Sequence, residues 1–194
     1  MNVYEALTKR RTIRKFLQQK IPHQILTKLV NVGRLAPSGS NLQPIEYVII
    51  EDDMLLPGVF STLSWAGYIA PAGNPQPGEE PVAYIAVLVN KKIKEKDYQR
   101  DVGAAVQNIL LAALEEGIGS CWIGSVAKNK LRLLLNLPGH LIIDSVIALG
   151  YPAESPVVEE MNDSIKYWKD EQGTLHVPKR GLEDICHLNR YGVK

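Results

Sequence analysis

Six basic side chains fall within the first 20 residues of this 194-residue chain: Lys9, Arg10, Arg11, Arg14, Lys15 and Lys20 stand against Glu5 alone. The whole chain carries a formal charge of +1, so the local +5 leaves −4 on the other 174 residues. Within RRTIRKF, Arg10, Arg11 and Arg14 surround the hydroxyl of Thr12 with guanidinium groups. That is donor-only chemistry, suited to a phosphate or to electron-rich carbonyl oxygens. A solvated helix end or a nuclear-localisation-like run has the same composition, and both readings stay open at this point. A second polar group lies in PSGSNLQP, where Pro37, Ser38, Gly39, Ser40 and Asn41 form a small loop. Because Gly39 has no side chain, a flat ring can lie directly on this backbone, its edges met by amides and hydroxyls.

Other familiar chemistries are missing. The chain has no GxSxG elbow, no HExxH and no Walker A lysine after a glycine loop. His23, His140, His176 and His187 are scattered without an i, i+4 pair and read as surface or loop residues, so no metal site is expected. Cys121 and Cys186 are 65 positions apart with no CxxC, which fits a reduced, cytosolic setting. Cys121 sits in an apolar run, where burial raises a thiol's pKa and leaves it a small hydrophobe. GIGSCWIG offers Gly117, Gly119 and Gly124 as a dinucleotide fingerprint, but in the wrong order, since these glycines follow a helix and open a strand. They read instead as helix termination at Gly117 and Gly119, with a close backbone approach at Gly124.

The elements that must position these groups follow from periodicity. Asn2 and Glu5 make a capping box for a first helix ending near Arg10. Pro22 opens a second helix that carries Ile25, Leu26, Leu29 and Val30 and stops before Pro37. Tyr47 to Ile50 and Val82 to Val89 are interior strands. A third helix after Asp101 is apolar nearly all round and has to be buried, in the domain centre or against a second subunit. Strands are expected at Ser120 to Ile123 and Ile142 to Leu149, a short helix at Asn129 to Leu135, and a polar, strand-poor stretch from there to Pro178. With 45% hydrophobic and 22% charged residues, one domain over 1–194 is expected, with an irregular excursion at 64–81 and an extended arm at 179–194. Neither a signal core nor 18 consecutive apolar residues occurs, so a cytoplasmic chain outside any membrane is the reading. The balanced net charge excludes a generic polyanion binder.

RRTIRKF, then APSGSNLQP leading straight into a strand, then DVGAAVQNILLAALEEGIGSCWIG, the ALGYP strand ending and the late KRGLED together resemble the nitroreductase family of flavoproteins over nearly the whole chain. The resemblance implies an α+β fold, a central, mostly antiparallel sheet flanked by helices, and an intimate homodimer binding FMN at its interface. By that likeness Arg10 and Thr12, helped by Arg11, hold the flavin phosphate, and Lys179 and Arg180 complete that site. Arg14 reaches the pyrimidine edge, where it tunes the ring. Pro37, Ser38, Gly39, Ser40 and Asn41 line the ring, largely from the other subunit, and Ile123 and Gly124 offer backbone amides. Without the resemblance, ordinary strand packing accounts for Ile123 and Gly124.

The implied activity is NADH- or NADPH-driven ping-pong reduction of nitroaromatics, quinones or related planar acceptors, with the flavin doing the chemistry and no catalytic side chain required. Within 64–81, Trp65 and Tyr68 either stack on a planar substrate or pack the subunit interface. This stretch departs from the acidic, tyrosine- and lysine-bearing lid of the deiodinase branch. Two other classes make different predictions. A non-enzymatic flavin-storage or regulatory protein would be yellow but not bleached by nicotinamide donors. A nucleic-acid binder would be colourless and salt-sensitive, but only Phe16 accompanies the basic cluster.

Overall fold

The computed structural model describes residues 2–193. The first helix, α1 (Val3–Lys9), begins at the expected capping box: the Asn2 side chain accepts from Glu5 N–H at 2.9 Å, and the Glu5 carboxylate accepts from Asn2 N–H at 3.1 Å. After a two-residue strand β1 (Phe16–Leu17), α2 (His23–Arg34) starts behind Pro22. Next come β2 (Ile45–Ile50), the short α3 (Leu56–Phe60), β3 (Ala83–Asn90), the long α4 (Gln99–Glu115), β4 (Gly119–Ile123), α5 (Lys128–Leu134) and β5 (Leu141–Pro152). Strands β2, β3, β5, β4 and β1 form one sheet in which every strand pair is antiparallel: β3 lies between β2 and β5, and β5 also pairs with β4 and β1.

Strand β3 is the centre of the molecule. Its alternate residues Ala83, Ile85, Val87 and Val89 pack with Leu26 and Leu29 of α2 and Val102, Val106, Ile109 and Leu110 of α4. Tyr84, Ala86 and Leu88 face the other way, into a cluster with Val59, Trp65, Cys121 and Leu131. Burial on both faces explains why VAYIAVLV is a continuous apolar run and not an alternating one. Each fully buried aliphatic side chain contributes about 1.5–3 kcal/mol. Gly33 lets α2 press on α4, since a Cβ there would sit 2.8 Å from Ile109 Cδ1.

Three expectations need correction. The stretch before Pro178 is not strand-poor: β6 (Val157–Glu160), β7 (Trp168–Lys169) and β8 (Leu175–Lys179) form a second sheet, β6 parallel and β7 antiparallel to the central β8. The terminal arm is not fully extended, because it folds into α6 (Leu182–Ile185) and a turn; Lys194, its last residue, lies outside the described residues. The close backbone approach is not at Gly124, around which the chain leaves open space. It is at Gly119 and Gly150, where a Cβ would come within 2.9 Å of Ile13 and 2.8 Å of Phe16. Gly117, with φ at +71°, ends α4, whereas Gly119 belongs to β4.

Candidate functional site

Those two glycines place the arginine segment. Because the ends of β4 and β5 lack side chains there, residues 12–17 lie flat against them. Ile13 N–H donates to Ser120 C=O at 2.9 Å, Thr12 bridges Ser120, and Phe16 and Leu17 pair with Pro152 and Tyr151. Glu154, just past β5, completes the anchorage by accepting the Arg14 backbone N–H at 2.6 Å and that of Lys15 at 3.3 Å. Nothing in the sequence marks Glu154, which acts across 140 positions.

Arg10 and Arg11 line a cavity of about 310 Å³ with Leu114, Gly117, Gly119, Ser120 and Glu154, at the C-terminal end of α4. Arg10 is half-buried, and no carboxylate among the described residues forms an ion pair with Arg10, Arg11 or Arg14. Burial first, and then the neighbouring Arg11 charge, hold the Arg10 pKa below its ordinary value. Two adjacent, partly buried cations without an ion-pair partner, with Glu154 as the one carboxylate on the cavity wall, are stabilised by an anion. That donor set fits a phosphate.

Arg14 points away from this pair, into a second cavity of about 150 Å³ lined by Ser64, Trp65, Ala66, Cys121, Trp122, Ile123 and Gly124. The structure thus brings Arg14, Ile123 and Gly124 to the wall of one cavity. Trp65 is a core residue, 8% exposed and 5.6 Å from Phe60 ring to ring, and its Nε1 has no partner. Tyr68 is 55% exposed and packs on Tyr167. Burial, the largest influence, pushes the Cys121 thiol up to about 11, so it is a poor nucleophile.

The Ser38–Asn41 loop lies elsewhere. Gly39 N–H donates to Asp101 Oδ1 at 3.0 Å, and Asp101 Oδ2 receives Lys94 Nζ at 2.6 Å. Both side chains of this ion pair are largely buried, 16% exposed for Lys94 and 6% for Asp101. Burial raises the Asp101 pKa, but the Lys94 hydrogen bond, the Gly39 N–H and the Lys94 charge together outweigh it, so the carboxyl sits below its ordinary value. Ser40 and Asn41 take left-handed φ values of 52° and 54°, and Ser38 Oγ accepts Gln43 N–H at 3.0 Å. The expected start of α4 at Asp101 moves back to Gln99, and Asp101 is a buried anchor in the first turn.

The loop and Arg10 therefore occupy opposite ends of α4. From Asp101 to Leu114 the helix rises about 20 Å, so the two halves of the predicted site do not meet within one chain. Lys179 and Arg180 are also apart. Lys179 ends β8 opposite Glu160, Arg180 donates to Asp184 C=O at 3.2 Å, and neither lines the cavity of Arg10 or of Arg14. His176 is no loose surface residue: its ring bonds Glu159 at 2.9 Å and Asp170 at 3.2 Å and stacks on Trp168 at 4.2 Å, tying the second sheet together.

The family model for the nitroreductase family matches residues 7–151. The chain belongs to the nitroreductase family. A protein of Methanothermobacter thermautotrophicus named "Putative NADH dehydrogenase/NAD(P)H nitroreductase" is 30% identical over 168 residues, covering 84% of each chain. An iodotyrosine deiodinase of Thermotoga neapolitana is 28% identical over 166 residues, covering 77% of this chain and 88% of its own. Among solved structures, a "putative nitroreductase in complex with fmn" from Desulfovibrio desulfuricans superposes with a TM-score of 0.67 at 28% identity, over 84% of this nitroreductase-family chain and 93% of the other. The antiparallel central sheet between helical layers is the fold of these neighbours. Among the described residues no helix is long and apolar enough to cross a membrane.

Proposed function

We propose that this chain is an FMN-dependent NAD(P)H oxidoreductase that works as a homodimer and reduces nitroaromatics, quinones or related planar acceptors. The observation that carries the reading is the separation of its two half-sites along α4. Guanidinium groups without an ion-pair partner sit at one end and a loop shaped for a flat ring at the other, and a second copy laid antiparallel brings each to its complement. Exposed apolar side chains support that pairing: Tyr4 and Leu7 on α1, Leu42 beside the loop, and Leu182, Ile185 and Leu188 on the arm all lie open in the single chain. Large apolar side chains left open at these places are what a second copy would cover.

FMN, when bound, supplies hydride chemistry between a nicotinamide donor and the acceptor. Arg10, Arg11 and Thr12 bind its phosphate, whose charge is close to −2 by analogy with phosphorylated side chains. Lys179 and Arg180 would reach the phosphate through the arm. Arg14 places a fixed positive charge in the cavity of Ile123 and Gly124, where it stabilises negative charge on the pyrimidine edge and raises the midpoint potential. Pro37, Ser38, Gly39, Ser40 and Asn41, pinned by Asp101, wall the ring from the partner chain. The 64–81 segment carries Tyr68, Glu79 and Glu80 but no lysine, so it lacks one of the three residue types of the deiodinase lid.

The test is an absorption spectrum of the purified protein, followed by anaerobic NADH and then NADPH, with 3-iodotyrosine included among the acceptors. A yellow, dimeric protein bleached by one donor and reoxidised by a quinone supports the reading. A colourless monomer that takes up no FMN, or a yellow protein that neither donor bleaches, refutes it. Arg10→Ala is expected to lower bound FMN per chain severalfold while leaving the melting temperature within a few degrees, because half-buried Arg10 has no ion-pair partner among the described residues for its removal to strand.

A further inference from the structure

Arg14 does not stand free in its cavity. Its Cζ lies 5.1 Å from the ring centroid of Tyr167, within cation–π range. Tyr167 belongs to neither the arginine segment nor the 64–81 excursion; it precedes β7 in the second sheet. The same ring packs on Tyr68 at 5.0 Å with a 53° tilt, and the Tyr167 hydroxyl accepts the Tyr68 backbone N–H at 3.4 Å. A second tie joins the two segments where Lys169 Nζ donates to Ala72 C=O at 3.4 Å. Tyr167 thus touches Arg14 on one side and the excursion on the other, and the excursion's root, Ser64 to Ala66, is itself a wall of the Arg14 cavity.

An arginine side chain has several rotatable bonds, and among the described residues Arg14 has no carboxylate partner to fix it. Glu154 holds only its backbone. Among the described residues the Tyr167 face is the cation–π partner of its guanidinium, which forms no ion pair. Resting on the proposed flavin chemistry, we propose that Tyr167 is a positioning residue: it fixes the Arg14 guanidinium and couples its placement to the 64–81 excursion, so that the second sheet and the excursion act as one cover over the site. The ring face does the positioning and the hydroxyl does the coupling.

Three variants separate these contributions. Tyr167→Leu keeps apolar bulk but removes the π face, Tyr167→Phe keeps the face but removes the hydroxyl, and Tyr68→Ala alters an exposed position on the excursion. The first readout needs no cofactor. In the flavin-free protein the Arg14 Nε–H resonance should carry a ring-current shift, absent in Tyr167→Leu and retained in Tyr167→Phe. The second readout is the midpoint potential of bound FMN, expected to move negative in Tyr167→Leu, in the direction of Arg14→Ala and by less, and to stay at the wild-type value in Tyr167→Phe. A resonance unchanged in Tyr167→Leu, or a potential that moves equally in Leu and Phe variants, overturns the positioning role. If Tyr167→Leu does not fold, Tyr167→Met, which likewise lacks a π face, replaces it, and an unmoved Arg14 resonance there is equally fatal. For the coupling, Tyr167→Phe and Tyr68→Ala should both raise KM for a bulky quinone relative to a small one at constant FMN content; equal KM ratios overturn it. A protein that binds no FMN would refute the flavin reading while leaving the resonance test intact.

Discussion

Replacing Asp101 with alanine removes one partner from an ion pair whose members are 6% and 16% exposed. It leaves the Lys94 ammonium buried without a counter-charge and the Gly39 N–H without its acceptor. Breaking a buried pair from one side costs about 3–5 kcal/mol, most of it the penalty of the stranded charge. For a domain of this size each kcal/mol lowers the melting temperature by about 2–4 °C, so a drop of roughly 6–20 °C is expected at pH 7. Lys94→Met in the Asp101→Ala background should recover much of it, because no charge is then stranded. Asp101→Asn, which can still accept from Gly39, should fall between. The effect also has a pH signature. The Asp101 pKa is held below its unfolded value, so the pair's contribution is complete above the ordinary carboxylate range and fades as pH falls through the lowered value. The gap between wild type and Asp101→Ala should therefore narrow in acid. Thermal melts of the four proteins from pH 7 down to pH 3 check this, alongside FMN content, which should drop because the Ser38–Asn41 loop loses its anchor. An Asp101→Ala protein melting within about 2 °C of wild type, or a double variant no better than the single, would refute the argument.

Other outcomes follow from the same structure. Gly119→Ala drives a methyl group into Ile13 at 2.9 Å and should cost about 1–3 kcal/mol by overpacking, with weakened FMN retention as the arginine segment lifts; calorimetry and flavin content measure both. In native protein at pH 8, Cys121, buried with its pKa near 11, should stay unreactive toward a thiol reagent and react only after denaturation. Hydrogen bonds that the His176 ring donates to Asp170 and Glu159 raise its pKa, so its clasp on the second sheet is intact below the ordinary histidine pKa and is lost as pH rises through the raised value. Hydrogen exchange of β7 should accelerate over that upper range in wild type and show no such step in His176→Gln.

The sequence made legible whatever depends on neighbours along the chain. The Asn2–Glu5 capping box, the helical period of α2 and α4 and the apolar run of β3 are local signals that tertiary structure preserved. The second sheet was hidden because β6, β7 and β8 are short, polar and partly exposed, and their pairing depends on contacts such as His176 with Glu159 that no window of sequence displays. The glycine assignment slipped for a related reason. Gly119 and Gly124 look alike in sequence, and only the packing of Ile13 distinguishes them. In the site, residue types announced the guanidinium cluster and the small-residue loop. Their anchors, Glu154 and the Lys94–Asp101 pair, are ordinary charged residues whose roles arise 140 and 62 positions away. Residue type could not decide whether Trp65 stacks on a planar substrate or packs an interface; within the chain its ring rests on Phe60 while the residue still lines the Arg14 cavity.

The length of α4 has a genetic consequence. On the proposed pairing, every chain lends its arginines to one centre and its Ser38–Asn41 loop to the other. Coexpress a subunit crippled at Arg10 with one crippled at Asp101, and each hybrid molecule inherits both lesions in one centre and neither in its twin. Two alleles that are inactive alone would then complement each other, restoring up to half the normal output per hybrid.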